Sequence, residues 1–191
     1  MTIAEVLLPE FDHEMGTTRK LLERVPDDKW ERRPHPKSMP LGALATHVAQ
    51  IAMWGAITLN QSEIDTGTTP PIEPVKSRTA LLDLLDRNVA ETRKALVGRG
   101  DAEFMAPWSL KNKGQTIFTM PKAAVWRGFV ISHHIHHRAQ LSEPAGSPQP
   151  GARPWRPEAP LPSVRGCVPD PPPMRAPRTS PDDGSRRSPP S

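Results

Sequence analysis

The chain has 191 residues, enough for one domain of ordinary size, and its 25 prolines are unevenly placed, ten in residues 1–143 and fifteen in the last 48. Lys and Arg stand against Asp and Glu at 18 to 17 over residues 1–143 and at 7 to 4 beyond them, so the first part lacks the concentrated basic face of a nucleic-acid-binding core. The single cysteine, Cys167, excludes an intramolecular disulfide framework and a cysteine-rich zinc module, and it fits a reducing compartment.

Four segments of residues 1–143 show apolar residues three and four apart, the period of a helix with one buried face. The first runs from about Ile3 to Val25 and aligns Leu8, Phe11, Met15, Leu22 and Val25 before the turn at Pro26-Asp27-Asp28. Its opening residues carry early acids and no apolar stretch of signal-peptide length, from which a cytoplasmic location is expected. The second begins near Pro40, a favourable first-turn residue, and places Leu41, Leu44, Val48, Ile51 and Leu59 inward.

Residues 38–62 contain no charged side chain, yet they include Thr46, His47, Gln50, Thr58 and Asn60. Polar groups of that number are costly in hydrocarbon, so the stretch reads as a helix buried in a soluble bundle, with no membrane partner expected. The third helix follows Ser77 as N-cap, uses Leu81, Leu85, Val89, Thr92 and Leu96, and stops at Gly98. The fourth runs from about Pro121 to Ser142.

The first two connections are long and carry Pro34 and Pro36, then Pro70, Pro71 and Pro74, which rules out tight helical hairpins. The third, from Asp101 to Met120, holds Lys111-Asn112-Lys113-Gly114 between two apolar triplets and can form a short extended excursion or hairpin. The expected fold is all-α, a four-helix bundle with long crossover loops.

Residues 144–191 contain 15 Pro, 7 Arg, 4 Gly and 4 Ala, and no Lys, Ile, Phe, Asn, Tyr or His. Such a segment holds neither helix nor central strand, so residues 1–143 are expected to be the folded domain and 144–191 a disordered proline-rich tail. Two origins fit it: a genuine disordered extension, or a frameshift after about Ser142 that replaced an apolar continuation of the last helix. Resequencing the gene separates them, because the second requires an alternative frame that continues the apolar pattern.

Chemistry concentrates in Ser132-His133-His134-Ile135-His136-His137-Arg138. On an ideal helix, at about 100° per residue, His133 and His137 share the middle of the apolar face with Trp126, Val130 and Leu141. His134 and His136 then fall at its two borders, as half-solvated or outer groups. Imidazoles four residues apart on one face can bind a single metal ion, and His47, beside Leu44, Val48 and Ile51, is the natural third ligand. Three neutral nitrogens leave positions open for water or substrate, as in a catalytic site, and they admit zinc, nickel, iron(II) or manganese alike. An isolated histidine on an apolar face is ordinarily a hydrogen-bonded core residue, but two at this spacing with no nearby acid need a further partner. His13 is expected at the surface and His35 in a loop.

The segments HHIHHRAQL (133–141), ATHVAQIAMW (45–54) and FDHEMGTTRKLLERVPDDKW (11–30) resemble the DinB family, also called the DinB/YfiT superfamily, over about residues 3–142. The resemblance implies a four-helix bundle, often dimeric, with a three-histidine metal site. Some members are thiol-dependent transferases and isomerases using small thiol cofactors. By that likeness the ligands fall on His47, His133 and His137. The implied function is that of a divalent-metal-dependent enzyme, a small-thiol-dependent transferase or related hydrolase acting on a small molecule. Gln50, Arg138 and Gln140 are candidates for orienting ligands, and Asp12 and Glu14 lie near in helix register. The alternatives are a non-catalytic metal- or ligand-binding stress protein and an impaired product of a frameshifted gene.

Overall fold

The computed structural model describes residues 1–69 and 73–142; the expectations for the tail, and the prolines at 70 and 71, lie outside the described residues. Helix α1 spans Ile3–Leu22, shorter than expected by the last turn, and opens with a capping box in which Thr2 and Glu5 exchange side-chain and backbone hydrogen bonds. A single 3-10 turn, Asp27–Lys29, follows. The expected third helix is α4, Arg78–Leu96, with Ser77 Oγ accepting from the Ala80 N–H.

The second helical segment is divided into α2, Leu41–Ile51, and α3, Met53–Asn60. The cause is a side chain from outside. Thr92 of α4 donates its hydroxyl to the Ala52 carbonyl at 2.6 Å and accepts from the Ala56 N–H at 3.1 Å. It thus stands between two groups that would otherwise bond each other, and such an insertion interrupts a helix without unfolding it. Gly55 makes the insertion sterically possible, because a Cβ there would lie 2.4 Å from the Thr92 methyl and 2.7 Å from the Trp126 ring. By length and composition Leu41–Asn60 could cross a membrane, but 56% of that stretch is buried inside the protein.

The all-α expectation is corrected by a three-stranded sheet in the order β1-β2-β3, with β1 at Glu63–Asp65, β2 at Pro107–Asn112 and β3 at Gln115–Pro121. A short helix, α5 (Asp101–Met105), leads into β2. The hairpin between β2 and β3 matches the extended excursion expected there. Its turn residues Lys113 and Gly114 have φ of 50° and 79°, the left-handed pair that a two-residue hairpin requires. Strand β1 pairs in parallel with β2 and went unforeseen because three residues, Glu63-Ile64-Asp65, carry too little alternation. What fixes it is the Asp65 carboxylate, which accepts from the backbone N–H groups of Gly67, Lys113 and Gly114 at 2.9, 2.8 and 2.6 Å.

The last helical segment comprises α6 (Lys122–Val125), a π-helical stretch at Trp126–Ser132, and α7 (His133–Ser142). In the wide stretch the His133 N–H reaches back to the Gly128 carbonyl, five residues away. Helix α1 packs on α4 and α7, α2 packs on the same two, and α3 packs on α4 and the π-helical stretch, all around one core. Phe11, Leu22, Leu41, Val48, Leu81, Leu85, Trp126, Val130 and Leu141 are buried there, with Phe11 meeting Trp126 edge-on at 5.5 Å.

Gly55→Ala is expected to cost about 1–3 kcal/mol through overpacking at the α2–α3 junction. A denaturant midpoint equal to that of the unsubstituted protein would contradict this account of the junction.

Candidate metal centre

The wide stretch decides where the four clustered histidines point. One additional residue per turn retards the helix by about 100° relative to an ideal one, so the wheel drawn from Trp126 misplaces everything after Ser132. His134, expected at a half-solvated border, is fully buried, and its Nε2 lies 2.6 Å from Thr18 Oγ1 of α1. His133 and His137, expected at the centre of the apolar face, are instead half-buried on its flank. That flank faces α2, where His47 is also half-buried. His136 is exposed, as are His13 on α1 and, in part, His35 in its bend.

The three flank histidines converge. One nitrogen from each of His47, His133 and His137 lies within 4.8 Å of the other two. The ring centroid of His47 is 5.5 Å from that of His133 and 4.6 Å from that of His137. The Nε2 atoms of His133 and His137 are 2.8 Å apart.

Their outer nitrogens are engaged. Gln140 Oε1 lies 2.8 Å from His137 Nδ1. The Phe129 carbonyl accepts from the His133 ring, and with Nε2 turned to His137 the donor is Nδ1. Phe129 is the residue whose carbonyl the His133 N–H passes over in the π register, in favour of Gly128.

With protons on both Nδ1 atoms, two Nε2 lone pairs confront each other. That arrangement is repulsive unless a proton lies between them or a metal ion sits to one side of the line joining them, within reach of both lone pairs. Protonation is disfavoured. Burial, followed by the charges of His137 and His133, lowers the His47 pKa to about 4. Burial is also the main cause of the lowered values of His133 and His137, against raising hydrogen bonds from Phe129 and Gln140 respectively. Three neutral imidazoles, two of them with the outer nitrogen engaged, fit a divalent transition metal.

The other candidates divide. Arg138 lies between helices: its Nη1 donates to the Glu14 carbonyl at 3.0 Å and sits 2.6 Å from Glu14 Oε2, with both side chains 17% exposed. Asp12 pairs with Arg93 of α4 at 2.7 Å. Gln50 Nε2 is buried without a hydrogen-bond partner one turn after His47. His134 was underrated by sequence reasoning, and it is neutral at any ordinary pH, its pKa lowered to about 3 first by burial and then by Arg138. Only the wide turn reveals its importance, and no residue pattern in Trp126–Ser132 signals that turn.

A family model described as the DinB superfamily matches residues 10–141. The crystal structure of a DinB-like protein, YjoA of Bacillus subtilis, is similar in fold, with a TM-score of 0.57 and 14% identity, over 72% of this chain and 88% of that one. No curated protein matches the chain.

Since folded His47 and His134 titrate below the unfolded value near 6.5, the unfolded chain binds more protons between the two limits, and stability rises with pH there. Acidifying the metal-free protein from pH 7 is therefore expected to lower its thermal midpoint progressively toward pH 4. A His47→Leu variant is expected to show a shallower slope. A midpoint that stays flat over that range would show that these imidazoles take up protons as readily in the fold as in the unfolded chain.

Proposed function

The chain belongs to the DinB superfamily, and from that premise we propose that it is a divalent-metal-dependent enzyme, a small-thiol-dependent transferase or a related hydrolase acting on a small molecule. The observation that carries the proposal is the confrontation of His133 and His137 Nε2 at 2.8 Å with His47 beside them. His47, His133 and His137 would hold the ion, and an ion held by three neutral nitrogens supplies Lewis acidity toward a thiol or water. Zinc, nickel, iron(II) and manganese all suit the donor set.

The surrounding residues support this reading by what they do for the site. Helix α2 brings His47 against α7, while the Glu14–Arg138 ion pair ties α7 to α1. Burial keeps all three imidazoles neutral and available. No cysteine occurs among the described residues, the single one being Cys167, which fits a reacting thiol that arrives as a cosubstrate. A four-helix bundle, a cytoplasmic location and a homodimer belong to the same proposal, the homodimer on the family resemblance alone.

One observation favours a second reading, a metal- or ligand-binding protein without turnover. Asp12 and Glu14, the carboxylates nearest in helix register, are engaged by Arg93 and Arg138, which leaves neither of them free as a general base.

The two readings separate on turnover. Protein loaded with Zn(II), Ni(II), Fe(II) or Mn(II) in turn is mixed with a small thiol and an aryl halide, and thiol loss is followed. The enzyme reading predicts consumption above background with at least one ion, abolished in His133→Ala. Metal uptake with no consumption under any ion would leave the binding reading in its place.

A further inference from the structure

The candidate ligands draw their outer partners from different sources. His133 uses the Phe129 backbone carbonyl, which no side-chain substitution removes, whereas His137 depends on a side chain. Gln140 Oε1 stands 2.8 Å from His137 Nδ1, and Gln140 Nε2 stands 3.1 Å from His136 Nε2. The three residues form a chain on α7, and their atoms match in kind. The amide oxygen accepts the Nδ1 proton of His137, which leaves the His137 lone pair on Nε2, facing His133 Nε2 at 2.8 Å. The amide N–H donates to His136. Turning the amide over would set N–H against the His137 proton and oxygen against the His136 lone pair.

We propose that Gln140 is a positioning residue of the metal centre, fixing the tautomer and ring orientation of His137, and that His136 holds the amide of Gln140 in the accepting sense. The inference rests on the metal reading above and deepens it. Gln140 and His136 are both exposed, so packing makes no demand for either residue type. A histidine that binds a metal through one nitrogen is held by the partner of the other, and loss of that partner ordinarily weakens metal binding about 10–100-fold. Solvent competes for the exposed amide, which places the expected effect at the lower end of that range.

The test is Co(II) binding to the full chain at neutral pH, by competition with a chromophoric chelator, beside the thermal midpoint of each metal-free protein. Gln140→Ala is expected to bind Co(II) about 10-fold more weakly with an unchanged metal-free midpoint. Gln140→Glu, which restores an oxygen acceptor for Nδ1–H, is expected to bind at least as tightly as the unsubstituted protein. His136→Ala should fall between the unsubstituted protein and Gln140→Ala. Unchanged affinity in Gln140→Ala, or a Glu variant as weak as the Ala variant, would overturn the positioning role while leaving the three-histidine site standing. Failure of the unsubstituted protein to bind Co(II) would overturn both.

Discussion

The rotation of α7 about its own axis is the constraint on which the candidate site depends. Helices α1 and α2 both pack against α7, so its phase decides which residues enter the core and which face α2. The wide turn at Trp126–Ser132 sets that phase. It sends His134 inward to Thr18 and leaves His133 and His137 on the flank opposite His47. An unbroken α-helix would have carried the last two into the apolar centre, where open coordination positions would have no route to solvent. The same turn redirects the His133 N–H to Gly128 while the Phe129 carbonyl accepts from the His133 ring. One local departure from helical geometry therefore serves both the direction and the tautomer of a candidate ligand, in keeping with the frequency of such turns at functional sites.

Electrostatics then keeps protons off the cluster. Desolvation disfavours protonated imidazole at His47, His133 and His137, and each imidazolium would repel its neighbours. Around the cluster, polar links hold the helices at fixed spacing: Arg138 to Glu14 and Thr18, and Thr18 to His134, join α7 to α1. Asn88 donates to the Ala49 carbonyl at 3.0 Å and joins α4 to α2. Thr92 joins the same two layers through the break at Ala52.

Much of this was legible in the residues. Ser77 and Gly98 bracket α4, the apolar spacing of α1 and α4 is regular, and Lys113-Gly114 announces the hairpin. The identity of the three converging histidines followed from spacing and from the family resemblance. What escaped was produced by contacts distant in sequence. The division of α2 from α3 is made by a threonine 36 residues beyond Ala56, and β1 is held by a hairpin turn 48 residues beyond Asp65. The wide turn is the instructive case. An ideal wheel selected His133 and His137 as a pair, because four-residue spacing survives a shift of phase, but it assigned the wrong direction to His134.

The central claim is that His47, His133 and His137 together hold one metal ion, and elemental analysis of the purified protein beside a His133→Ala, His137→Ala double variant tests it most directly. The account predicts one transition-metal ion per chain in the protein and none in the equally helical variant. A folded protein that remains metal-free after reconstitution with each candidate ion would contradict it.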